Sequence, residues 1–445
     1  MAAMLSTDDT TPDPTPAELL AARPHLAMHV MDGLLMDDVP LNRIADAAGT
    51  PTWVYSANTI RRRFRALTTA LCDAGLDAQV HYAVKANDHR AILALLAREG
   101  AGADVVSEGE LRKARQAGMP ACDIVFSGVG KSQRELRLAL GEGIGQINVE
   151  SAEELAMLSA LAASMGKQAP VALRVNPDVD AGTHEKISTG RAQDKFGIPY
   201  ADAAELYARG AALPGIRMVG LATHIGSQIL DLAPYRAAYA RIADLVRVLR
   251  GQGERVELVD CGGGLGISYR DQIAPSPAGL AGAMRAAFHN LDVRLALEPG
   301  RWLVGPAGVL LASVILVKQA QSARFIVLDA AMNDLVRPAM YDAWHGIVPM
   351  SAVDAAGPLS SADVVGPVCE SGDTFARSRP LPPLAPHARV AILDAGAYGA
   401  VMSSPYNARP RAAEVLVDQD HWSVIRDRQL HSALWEDERI PDFDT

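Results

Sequence analysis

The stretch His81-Tyr82-Ala83-Val84-Lys85-Ala86-Asn87-Asp88-His89-Arg90 reads as a β-strand that ends in a lysine and then turns into a helix. A lysine at a strand end is ordinarily a solvated charge. Whether Lys85 is more than that depends on how many similar strand-to-helix units surround it.

From about Pro51 onward, short apolar runs alternate with longer segments of helical period. The runs are AQVHYAVKAN, GADVVSEGE, DIVFSG, QINVES, PVALRVNP, MVGLATHIGSQ, ELVDCGGG and RLALEPGR, spread between Ala78 and Arg301. About eight strands, each followed by a crossover helix, is what a closed parallel (β/α)8 barrel requires. Ser107 with Glu110, Ser132 with Glu135 and Ser151 with Glu154 have capping-box spacing, which fixes where strand gives way to helix. After Arg301 the pattern changes to clustered Val, Ile and Leu broken by Pro and Gly, which predicts an antiparallel β-sandwich or barrel.

The division expected is a mobile tail over 1–24, a segment joining the β domain over 25–48, the barrel over 49–305 and the β domain over 306–445. A chain of 445 residues, 49% hydrophobic and 21% charged, has room for both. Its net charge of −10 gives no footprint for nucleic acid or an anionic membrane, so a small-molecule substrate is expected. The four cysteines, Cys72, Cys122, Cys261 and Cys369, form no CxxC pair, which predicts neither a disulfide framework nor a metal site. No signal sequence and no apolar run of membrane-spanning length are seen, so a cytoplasmic location is expected.

Barrel enzymes build their sites from the loops at the C-terminal strand ends. Lys85 ends the first strand, His224 the sixth, Gly262-Gly263-Gly264 the seventh and Glu298 the eighth. A lysine at the focus of such a mouth can be a covalent amine nucleophile. The glycine run can close backbone N–H groups around a phosphate, although it lacks the spacing of either nucleotide-binding fingerprint. Phosphate and imine-forming lysine together suggest pyridoxal phosphate. Glu298 can then face the pyridine nitrogen, and His224 can cover the ring.

At this point the sequence resembles a known family. YAVKAN, STGRAQDKFGI, HIGSQI, CGGGLGI, EPGR, LDAAMNDLVRPAMYDAWH, GPVCESGD and DAGAYGAVMSSPYNARPRAAEVLV occur in the order seen in meso-diaminopimelate decarboxylases, of the alanine-racemase-like class, from about residue 25 to 420. The resemblance implies a pyridoxal 5′-phosphate enzyme that converts meso-2,6-diaminopimelate to L-lysine and CO2. It implies that Lys85 carries the cofactor and that His224 stacks on it. It places Ser227, Gly263, Gly264, Pro299, Gly300, Arg301 and Tyr406 around the cofactor, and Glu298 at the ring nitrogen. Arg301, Arg337 and Tyr341, with Tyr406 near them, would hold the substrate's far carboxylate. Cys369, as proton donor, and Glu370, at the far amino group, would reach across the interface of a homodimer with shared active sites.

The chain departs from the family at Pro405, where Asn is common. The alternatives are decarboxylation of ornithine, lysine or arginine, a non-catalytic pyridoxal phosphate carrier, or an aldolase using Lys85. The first lacks a use for Arg337 with Tyr341, the second for Cys369-Glu370, and the third for Glu298 and the glycine run.

Overall fold

The computed structural model describes residues 12–182, 196–320 and 323–443. Eight parallel strands close into a barrel: β1 (Ala78–Ala83), β2 (Gly102–Val105), β3 (Ile124–Phe126), β4 (Gln146–Val149), β5 (Ala169–Asn176), β6 (Ile216–Ala222), β7 (Leu258–Asp260) and β8 (Arg294–Leu297). β8 pairs with β1 and β4 pairs with β5, which leaves no open edge between the eight. β2, β3 and β4 are buried end to end and the other five over most of their length, as parallel strands covered on both faces must be. Hence they read as apolar runs rather than as alternation.

The helix starts bear out the serine caps, but only Ser132 with Glu135 forms the reciprocal box. Ser107 and Ser151 accept from the backbone N–H of Glu110 and Glu154. Those glutamates instead reach one residue further back, to the N–H of Val106 and of Glu150. The carboxylates therefore tie the residue just past each strand to the helix, which stiffens the mouth loops after β2 and β4.

The second domain is one nine-stranded sheet, and it is mixed rather than purely antiparallel. The strand Thr52–Ser56 lies antiparallel to Gly308–Gln319 but parallel to Ala413–Asp418, and Arg324–Leu328 is parallel to Ser360–Val365. Thr52–Ser56 thus belongs to this sheet, and the barrel proper starts beyond residue 49. Leu26–His29, Gly33–Met36 and Val39–Pro40 form a separate three-stranded sheet. It packs Leu34 and Met36 against Val309, Leu311 and Val348 of the large sheet.

The tail expected over 1–24 is structured in its second half. Thr15 caps a helix over Pro16–Ala21 that buries Leu19, and Arg23 pairs with the buried carboxylate of Asp394. Residues 1–11, and residues 188–195 of the STGRAQDKFGI motif, lie outside the described residues.

Candidate active site

Backbone hydrogen bonds carry the barrel ladder past the strand ends. Thr223 N–H donates to the Asp260 carbonyl at 2.9 Å, Cys261 to Ala296 at 2.8 Å, Glu298 to Gly262 at 2.8 Å and Ala83 to Pro299 at 3.2 Å. His224, the glycine run, Glu298 and Lys85 are thereby set side by side around one mouth. Lys85 sits two residues beyond β1, on a single 3-10 turn over Val84–Ala86. The glycines are required by close approach: a Cβ on Gly263 would stand 2.2 Å from the Glu298 carbonyl, and one on Gly264, whose φ is +98°, 2.3 Å from that of Gly226.

A cavity of about 490 Å³ occupies this mouth. Lys85, His224, Ser227, Gly264, Glu298, Gly300, Arg301, Arg337 and Tyr341, all expected from sequence, line it. So do Tyr269, Trp344 and Tyr398, which sequence reasoning missed.

Charge is arranged unevenly across it. The Lys85 ammonium pairs with the fully buried Asp104. Burial disfavours the ammonium, but Asp104 and Glu298 outweigh it and hold Lys85 above the ordinary lysine range. Glu298 accepts from Ser127 Oγ at 3.3 Å and Asn148 Nδ2 at 3.2 Å. Burial, then the neighbouring Asp104 and Asp260 carboxylates, push its carboxyl well above the usual range, and the Lys85 ammonium opposes them. His224 accepts the Gly263 N–H on Nδ1 at 3.1 Å, and burial, with Arg174 and Lys85 nearby, keeps its ring neutral. A neutral imidazole is a flat wall that adds no charge.

At the other end two guanidiniums flank one phenol. Arg301 Nη1 donates to the Tyr269 hydroxyl at 2.6 Å and Nη2 to Ser227 Oγ at 3.2 Å. The guanidinium carbons of Arg301 and Arg337 lie 5.9 and 4.9 Å from the Tyr269 ring centre, and Arg301 also lies 4.8 Å from that of Tyr398. Two buried cations facing one cavity favour an anionic ligand group there.

Five expected residues do not line the cavity: Gly263 and Pro299 are buried, and the other three lie on the surface. Cys369 and Glu370 are exposed, and Tyr406 is 46% exposed. They share one surface region: Cys369 N–H donates to Oδ1 of Asn407, the neighbour of Tyr406, at 3.1 Å. Within the DAGAYGAVMSSPYN segment it is Tyr398, and not Tyr406, that lines the cavity.

The residues present fit pyridoxal 5′-phosphate. An amine and a buried carboxyl share one cavity, with a neutral ring on its wall and a glycine-lined loop beside Ser227 and Arg301. Two buried polar atoms of this set, Asp104 Oδ1 and Arg301 Nε, have no hydrogen-bond partner among the described residues.

Comparison with known proteins agrees. Residues 57–305 match the pyridoxal-binding domain of the pyridoxal-dependent decarboxylases, which fixes the class of the barrel. A diaminopimelate decarboxylase of Zymomonas mobilis is 49% identical over 409 residues, covering 91% of this chain and 96% of its own length. The Helicobacter pylori diaminopimelate decarboxylase complexed with L-lysine is 38% identical, with a TM-score of 0.86 over 89% of this chain and 98% of its own. That of M. jannaschii in complex with L-lysine is 34% identical, with a TM-score of 0.89 over 94% and 98%. The chain belongs to the diaminopimelate decarboxylase family.

Proposed function

We propose that this chain decarboxylates meso-2,6-diaminopimelate to L-lysine and CO2, with pyridoxal 5′-phosphate held by Lys85, acting as a cytoplasmic homodimer. The observation that carries the reading is the pairing, in one cavity, of the Lys85 and Glu298 end with the Arg301 and Arg337 end. Diaminopimelate has two amino-acid ends, and one must be gripped while the other reacts.

The cofactor, when bound, supplies an electron-accepting ring for the negative charge left on carbon as CO2 departs. Glu298 would face the ring nitrogen and share its proton, and Asp104 orients the Lys85 amine. His224 would lie against the ring face. Ser227, Gly263, Gly264, Pro299, Gly300 and Arg301 bound the phosphate side. Arg301 and Arg337, with Tyr341, take the far carboxylate, since a guanidinium meets a carboxylate with a two-pronged fork.

Cys369 and Glu370 face outward, where a neighbouring copy can receive them, with Cys369 giving the proton that replaces CO2 and Glu370 meeting the far ammonium. Their loop is well anchored for this: the Val368 N–H donates to Asp373 Oδ2 at 2.8 Å, and Asp373 Oδ1 accepts from Met332 at 2.7 Å, beside the Arg337 segment.

The test is substrate selectivity. A charge-assisted fork contributes on the order of 2–4 kcal/mol, so lysine and ornithine should have kcat/KM values lower than diaminopimelate by roughly thirtyfold or more. Equal values would contradict the far-end grip.

A further inference from the structure

We propose that Asp13 is a positioning residue for the end of the cavity that grips the substrate's far carboxylate; the inference rests on that far-end assignment. Asp13 stands between Pro12 and Pro14, whose rings restrict the backbone, and two residues before Thr15, the cap of the Pro16–Ala21 helix. Its carboxylate has three partners. Oδ1 accepts the indole N–H of Trp344 at 3.2 Å and lies 3.1 Å from Arg270 Nε, and Oδ2 lies 3.2 Å from Arg379 Nε.

Trp344 lines the substrate cavity, and the Arg379 guanidinium lies over its ring at 4.0 Å. The Arg379 side chain is buried. It donates through Nη1 to the His345 carbonyl at 2.7 Å, and His345 Nε2 accepts from Arg337 Nη1 at 2.8 Å. A continuous set of contacts therefore runs from Asp13 through Arg379 and His345 to Arg337, with Trp344 held alongside.

Burial draws the Arg379 guanidinium down to about 10, Asp13 opposes that, and Arg270 adds to it. Without the carboxylate, two cations would face each other with one of them buried and uncompensated. Arg379 would withdraw, and the indole and the His345 backbone would lose their common support. The effect falls on substrate binding, because these groups connect to Arg337 and Trp344, whereas Lys85 is held by Asp104.

The test uses the full-length protein carrying Asp13→Ala, Asp13→Asn or Asp13→Glu. The alanine variant should raise KM for meso-diaminopimelate by about tenfold with kcat within about twofold, the signature of lost ground-state grip. Asparagine keeps an acceptor for Trp344 but no charge and should fall between; glutamate should recover most of the loss. The Trp344 emission, taken as the difference from a Trp344→Phe protein, should change in Asp13→Ala whether or not substrate is present. Wild-type KM and unchanged Trp344 emission in the alanine and asparagine variants would overturn the proposal, as would lower thermal stability with KM unmoved. If the unmodified protein failed to turn over diaminopimelate, the far-end reading would fall, and the Trp344 emission would still decide the clamp.

Discussion

Arg337 donates through Nη1 to Nε2 of His345 at 2.8 Å, while His345 Nδ1 bonds the Leu393 carbonyl at 2.8 Å. An imidazole that accepts on one nitrogen and donates on the other is neutral and fixed in one tautomer. Burial, then the charge of Arg337, keeps His345 far below the ordinary histidine range. It is therefore a passive acceptor that aims a guanidinium.

His345→Leu should accordingly free the Arg337 guanidinium. A hydrogen bond to a charged group is worth about 1.5–3 kcal/mol, so KM for diaminopimelate should rise roughly ten- to hundredfold with a smaller change in kcat. His345→Gln, which can still accept, should lie nearer the wild type. Steady-state kinetics of the two variants decides this, and equal KM values in both would place the aiming elsewhere.

Glu298→Gln keeps the size and much of the hydrogen bonding to Ser127 and Asn148 but cannot share a proton with a ring nitrogen. Turnover should fall by about a hundredfold or more while the cofactor stays bound, measured by absorbance and by product formation. A drop of less than about threefold would move the role to another carboxyl, with Asp104 and Asp260 the neighbouring candidates.

How much of this was legible beforehand follows from where each side chain originates. Lys85, His224, Gly263 and Glu298 were readable because each sits at or just past a barrel strand end, and strand ends are marked by apolar runs and helix caps. Asp104 was not, because it lies inside β2, where nothing in GADVV distinguishes a buried carboxylate that faces the lysine. Tyr269 comes from the long loop after β7, and Trp344 and Tyr398 come from the second domain. No period or spacing predicts that those loops fold over the barrel mouth. Conversely, Cys369 and Glu370 were named through family resemblance, and the geometry of one chain leaves them on its surface.

Their exposure leads to a mixing experiment. A Cys369→Ala chain and a Lys85→Ala chain should each be nearly inactive alone. After joint unfolding and refolding, half the dimers should be mixed and one site in each intact, which restores about a quarter of wild-type activity. Recovery no greater than either parent, with mixed dimers verified by mass, would rule out a shared site.

His25 provides a pH test of stability. It is buried, and burial, then Arg62, Arg23 and Arg63, lowers its pKa from 6.5 to about 4. The unfolded chain takes up this proton first as pH falls, so the stability is present above 6.5 and lost on acidification toward 4. Between pH 7 and pH 5 the loss should be about 2 kcal/mol, and His25→Gln should remove that part of the slope. Denaturant melts at the two pH values measure it, and an unchanged slope in the variant would mean that His25 is not held neutral.

The most direct measurement is the product balance of the purified protein given pyridoxal 5′-phosphate and meso-diaminopimelate. One CO2 and one L-lysine should appear for each substrate consumed, and Lys85→Ala should abolish both while leaving the protein folded. Consumption without matched CO2 and lysine, or full turnover by the Lys85→Ala protein, would contradict the account.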